Sequence, residues 1–274
     1  MVTSINTVAG NIPVYLVDSA DPVQKYASMR VLRELGAPNI AWEKALNGII
    51  PLPLYARPAG GGDMSMAVYD RATGMMREYF YCVKLPDGTW TSSYAGFYHA
   101  EPGFKNLGVD NYSMQLTRGS SSVVSMLSCL MQVGISEARA GSINHALGFT
   151  IANARRGVSS WPAKQGDGTD LNQDTPAEGQ WFRIPPSVKL DMLGLNPFTL
   201  LLARAAQNYG GMATDKNLFD HAFNCEDPVN EMQRTGTNPW IGDIQTQYGG
   251  PRGMDVNDFP WHLTQWAPLD WGKP

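Results

Sequence analysis

The residues best suited to chemistry lie between Ser142 and Trp161, SINHALGFTIANARRGVSSW, where His145 is followed by Asn153, Arg155, Arg156 and Trp161. Histidine titrates near neutrality and can act as a general base, while Asn and Arg can neutralise a carboxylate. With Tyr79 as a further candidate base, His145, Asn153 and Arg155 are the residue types of a lyase acting on uronic acids. The competing reading makes His145 a core histidine with one internal polar partner. The apolar neighbours Ile143, Leu147 and Phe149 favour that reading, because they are costly to leave in water. A glycosidase would need two carboxylates facing a sugar. Asp70 and Glu78, on neighbouring strands, approach such a pair, but Asp70 lies at a turn and Arg71 or Arg77 offers Glu78 an ion pair instead. Phosphate-loop, dinucleotide, HExxH, paired CxxC and GxSxG motifs are all missing from the sequence.

One acidic stretch, AKQGDGTDLNQDTPAEGQ over 163–180, places Asp170, Asn172 and Asp174 at the one-three-five spacing of hard-cation ligands. It lacks the glycine and the late carboxylate of an EF-hand, so a flexible solvated loop is the alternative to a metal site. No cofactor is expected.

Aromatic residues offer a second kind of chemistry. With 8 Trp and 11 Tyr, the chain has enough rings for both a core and a ligand surface. Met64 to Tyr98 reads as an antiparallel meander, turning at Arg71–Gly74 and at Leu85–Gly88. Alternation puts Tyr79 and Tyr81 on one face of its second strand. Trp90, Tyr94 and Tyr98 share a face of the third, where Tyr69 can join them. Either these rings pack beneath a second sheet or they form a stacking platform for pyranose rings. The candidate binding set is therefore Tyr79, Tyr81, Trp90 and Tyr94, with Asn153, Arg155 and Trp161.

The element that must position the His145 group is a strand. Ile143, His145, Leu147, Phe149 and Ile151 alternate with Asn144, Ala146, Gly148, Thr150 and Ala152, so large side chains line one face and small ones the other. A row of small residues lets a covering segment or ligand approach closely. Around this central strand, Ile12–Val17 predicts a strand, and Asp21-Pro22 predicts a helix start with Val23, Tyr26, Leu32 and Leu35 on one face. Residues 36–63 read as a surface excursion. VVSMLSCLM reads as a short buried helix, and Ser136-Glu137 begins another turn ending at Gly141. Asn196-Pro197 starts an amphipathic helix through Phe198, Leu201, Leu202 and Ala205 that stops before Gly210. A hairpin around Asp215–Asn217 follows, and the aromatic tail straps onto the body. The expected fold is mainly β, a jelly-roll or lectin-like sandwich with a few packed helices. It forms one domain over 1–274, with an N-terminal extension over about 1–63 and a C-terminal aromatic strap over about 255–274.

Composition excludes several classes. A net charge of −4, without a basic stripe, argues against a nucleic-acid partner. Cys82, Cys129 and Cys225 fit neither a disulfide framework nor a zinc site. Neither a signal peptide nor a membrane-spanning run is visible, so membrane insertion is not expected.

IPVYLVDS, VYDRATG with REYF, SINHALGFTIANARRG leading to WPAKQGDGTD, PFTLLLARAAQNYG and FPWHLTQW together resemble a family of actinobacterial and actinobacteriophage proteins labelled minor tail proteins. Asn144-His145-Ala146-Leu147 is the most specific piece. The resemblance spans Ile12 to Trp266. It implies a one-domain, sandwich-like body and a virion protein made in the host cytoplasm, acting at the host surface or on polysaccharide. It supplies no catalytic residues. The expected function is a tail or tail-tip component recognising host-envelope glycan, with other tail proteins or copies of itself as partners. A glycan-cleaving lyase or glycosidase, and a purely architectural tail protein, are the alternatives.

Overall fold

The computed structural model describes residues 2–7, 11–23, 25–32, 46–99, 127–163 and 165–273. It is mainly β, with three mixed sheets and few helices. The largest sheet has six strands in the order β1 (Thr3–Asn6), β13 (His221–Asn224), β10 (Leu147–Ile151), β12 (Gly211–Lys216), β11 (Trp181–Arg183) and β14 (Gln265–Trp266). A second sheet has the order β2 (Val14–Val17), β5 (Met66–Asp70), β6 (Met75–Phe80) and β9 (Tyr94–His99). The third runs β4 (Gly48–Pro53), β3 (Tyr26–Val31), β8 (Trp90–Ser92) and β7 (Val83–Lys84). Parallel pairing occurs in every sheet, at β1/β13, β10/β12, β2/β5 and β3/β8. That departs from the antiparallel connectivity of a jelly roll.

The central strand is where the alternation put it, but shorter. Leu147, Phe149 and Ile151 are buried in the main core with Phe182, Phe223 and one face of the helix Pro197–Asn208. Each such side chain contributes about 1.5–3 kcal/mol by leaving water. On the other face, a Cβ at Gly148 would stand 3.1 Å from Met131 Cβ and 3.1 Å from Thr214 Cγ2. The Gly148 N–H donates to the Met131 carbonyl at 2.8 Å. The stripe of small residues therefore admits a covering segment of the chain's own, not an external ligand.

The amphipathic helix forms as its punctuation predicts, with Pro197 in the first turn and Tyr209-Gly210 ending it. Phe198, Leu201, Leu202 and Ala205 are all buried. Ile135–Ala140 is likewise helical and ends at Gly141, whose φ of 67° is left-handed. Of the predicted VVSMLSCLM helix, Leu127–Leu130 is helical and the residues before it lie outside the described set.

Several expectations are corrected. Tyr26–Val31 is a strand rather than a helix face, because Ala27, Met29 and Val31 alternate into the core between the two four-stranded sheets. Within 36–63, Ile50 and Leu52 are core residues of β4 rather than part of a surface excursion. Residues 1–63, expected as an extension, thus contribute β1 to β4 to the three sheets. Gly211–Asn224 is not a hairpin, since β10 lies between β12 and β13 and pairs with both. The meander holds for β5, β6 and β9, but the chain crosses to the other sheet for β7 and β8. Tyr81, with φ of 57°, breaks the second strand at the point of crossing.

The tail does strap onto the body. Phe259 enters the main core, and the half-buried Trp261 packs against it, stacking on Phe223 at 5.6 Å and 7° between planes. Gln180 Nε2 donates to the Ala267 carbonyl at 2.7 Å and fixes the strap alongside β11. Among the described residues no helix is long and apolar enough to cross a membrane.

Candidate functional site

The predicted site residues do not converge. His145 sits before β10 and is half-buried, neither sealed in the core nor free to act as a base. Its Nδ1 donates to the Ala146 carbonyl at 2.8 Å and its Nε2 meets Glu137 Oε2 at 3.0 Å. The Ala146 carbonyl fixes Nδ1 as a donor, and a carboxylate facing Nε2 favours the protonated ring. Burial opposes that charge, but the bond to Glu137, the Ala146 carbonyl and the Glu137 charge outweigh it and raise the pKa.

The proposed sugar platform is dissolved by burial. Tyr79 is fully buried and donates toward the Leu46 carbonyl at 3.4 Å, and burial pushes its phenol well up. A sealed phenol cannot be the lyase base. Trp90 is also buried, whereas Tyr81 is exposed on the strand break; the Tyr94 side chain lies outside the described set. Asn153 Oδ1 accepts from Thr169 N and Thr169 Oγ1 at 3.2 and 3.0 Å. Arg155 Nε donates to the Thr175 carbonyl at 3.1 Å. Both residues tie the 153–161 segment to the acidic stretch through hydrogen bonds. Isolated bridges Arg155–Asp170 and Ser159–Glu178 complete that tie.

The one-three-five side chains are used locally as well. Asp170 accepts from Asn172 N and Thr175 Oγ1, and Asn172 Oδ1 accepts from Asp174 N. These are turn-forming bonds.

Rings do gather elsewhere. Where β11, β14, the end of the long helix and the tail meet, a groove of about 810 Å³ opens. Trp181, Trp266, Trp271 and Tyr209 line it, with Arg183, Asn208 and Gln265 among them. Trp271 is 56% exposed and Tyr209 45%. Trp271 meets Trp181 edge-on at 6.1 Å, and Trp266 leans on the buried Phe182 at 5.3 Å. Arg183 Nη2 donates to Gln265 Oε1 at 3.3 Å across β11 and β14, which orients both polar heads. Trp161, from the predicted set, is joined to this strap through its backbone N–H, which donates to Asp270 Oδ1 at 2.8 Å.

No family model, curated protein or solved structure matches this chain.

The groove therefore has to be read from its own chemistry. Ring faces exposed in a concavity, with planar amide and guanidinium groups between them, suit a ligand with an apolar face and a rim of hydroxyls. Among the described residues its lining holds no Asp, Glu or His, so the paired carboxylates of glycoside hydrolysis have no counterpart in that lining. Sequence analysis read Trp266 and Trp271 only as strap. The overlooked signal was Trp181-Phe182, a half-buried ring beside a core ring on a strand. Separation along the chain hid that β11 and β14 are adjacent.

Proposed function

We propose that this protein binds glycan through the groove lined by Trp181, Tyr209, Trp266 and Trp271. The observation that carries the reading is the exposure of Trp271 and Tyr209 in a concave, partly polar site, since large rings left in water at such a place are available for stacking. The lectin-like part, on this reading, is the six-stranded sheet with its aromatic strap rather than a jelly-roll sandwich. The setting, a minor tail or tail-tip protein of an actinobacteriophage that meets host-envelope glycan and other tail subunits, is supported by the sequence resemblance alone.

The test is to incubate the purified chain with cell-wall polysaccharides and measure both retention and product release. Trp271→Ala and Tyr209→Ala should each weaken retention about tenfold, equivalent to about 1.4 kcal/mol, with melting unchanged. Undiminished retention in both variants removes the groove from the function. Released product would replace binding by cleavage, and no retention by the wild type would leave an architectural role.

A further inference from the structure

The acidic stretch meets the end of β12, where Lys216 contacts Asp167. Glu178 is completely buried there, and its Oε2 accepts the Asp167 N–H at 2.9 Å. Its other oxygen, Oε1, is buried with no hydrogen-bond partner. A buried carboxylate oxygen left without a donor is costly and is rare in folded proteins. Asp167 is exposed and Asp215 half-buried, and one carboxylate oxygen from each of the three residues lies within 4.8 Å of the others. Oxygens around a single ion at about 2.4 Å are separated by up to twice that distance.

Local structure explains the convergence. A bulge at Thr214 shifts the register between β10 and β12, so that Asp215 pairs opposite Thr150. Bulges of this kind re-aim side chains. The Ser159–Glu178 bridge holds Glu178 inward. Close packing also leaves no room at Gly166, where a Cβ would fall 2.5 Å from Glu178 Oε2.

We propose that Asp167, Glu178 and Asp215 form a binding site for one divalent cation of the calcium class. All donors are oxygens, with no His or Cys among them, which excludes the usual zinc set. Two of the three donors come from irregular backbone, which suits the variable geometry of calcium better than the strict octahedron of magnesium. The exposed Asp167 provides the entry path. Lys216 is the rival cation: its Nζ donates to the Asp167 carbonyl and lies 3.3 Å from Asp167 Oδ2.

The experiment uses the full chain, stripped with chelator and titrated with CaCl₂ and MgCl₂ by calorimetry and thermal melting. One Ca²⁺ per chain is expected, with a higher melting temperature in its presence and weaker binding of Mg²⁺. Glu178→Gln keeps the shape of the buried side chain, and Asp167→Asn changes only an exposed one. Each should weaken Ca²⁺ binding about tenfold or more while folding is retained in chelator. If wild type shows neither heat nor a melting shift at millimolar Ca²⁺, Lys216 is the resident cation and the proposal fails. Equal Ca²⁺ affinity in wild type and Asp167→Asn would also overturn it, whether or not Glu178→Gln folds.

Discussion

His145 Nε2 lies 3.0 Å from Glu137 Oε2, joining the turn before the central strand to the helix Ile135–Ala140. The same Oε2 accepts the Gly134 N–H at 2.9 Å, so one carboxylate both caps that helix and holds the imidazolium. The helix and the strand are thereby set against each other at a polar joint on the edge of the main core.

This joint should be pH-dependent. The His145 pKa is raised, so its contribution is complete below its ordinary 6.5 and fades as pH rises through the folded value. Burial opposes the Glu137 charge, but the His145 bond and charge and the Gly134 and Asn144 N–H groups outweigh it and lower the pKa. Its contribution is complete above the ordinary 4.5 and fades as pH falls through the folded value. His145→Gln should therefore cost most between pH 4.5 and 6.5, about 1 kcal/mol given the partial exposure of both groups. Glu226, whose carboxylate accepts the Ile135 N–H, also faces this joint. Chemical denaturation of wild type and variant at pH 5.5 and 9 checks the difference, which should shrink at the higher pH.

Glu226 has the opposite sign. Burial raises its pKa to about 7, the Ile135 N–H pulls it down, and the charges of Glu231, Glu137 and Asp227 push it further up. A raised carboxyl stabilises the fold below its ordinary 4.5 and loses that contribution as pH rises through about 7. Glu226→Gln retains an acceptor for Ile135. It should match wild type at low pH and exceed it by about 1–2 kcal/mol above pH 8. Melting curves across that range test this, and a variant less stable than wild type at pH 8 would refute it.

At Gly148 the approach of Met131 and Thr214 leaves no room for a side chain. Gly148→Val should cost about 1–3 kcal/mol, seen as a lower urea midpoint, or prevent folding, because two packed segments would have to separate. Gly148→Ala, with one atom to accommodate, should show a smaller shift of the same sign.

Two tail tryptophans should respond in different ways. Trp261 packs against Phe149 at 5.1 Å and Phe259 at 4.5 Å, and its Nε1 donates to Thr3 Oγ1 at 2.9 Å. Trp261→Ala should cost about 3–5 kcal/mol. Trp271→Ala, on an exposed ring, should leave the melting temperature within a degree or two and act only on glycan retention. Parallel melting and retention assays on the pair test the division between strap and groove.

What could be read in the sequence was whatever depends on local pattern. The alternation through Leu147, Phe149 and Ile151 marked the central strand, and Asn196-Pro197 with Gly210 bracketed the long helix. Local pattern failed where tertiary pairing decides. Tyr26–Val31 carries helix-compatible spacing, yet its partners β4 and β8 make it a strand. Gly211–Asn224 looks like a hairpin until β10 inserts between its arms. His145 continued the alternation, but the strand begins two residues later, so periodicity misplaced its side chain. The groove was illegible for the same reason: Tyr209, Trp181 and Trp271 meet only through the sheet.

The pairing of Thr3–Asn6 with His221–Asn224, and of Gln265–Trp266 with β11, sets an order of events during synthesis. Strands β2 to β9 all lie before residue 100 and have their partners within that stretch, so the two four-stranded sheets can collapse while the ribosome is still translating. The six-stranded sheet must wait, because its first strand needs a partner more than two hundred residues downstream. Such high contact order makes closure slow, and β1 remains an unpaired, aggregation-prone strand until then. Refolding should accordingly show a fast phase and a slow one, with the Trp261 fluorescence change confined to the slow phase.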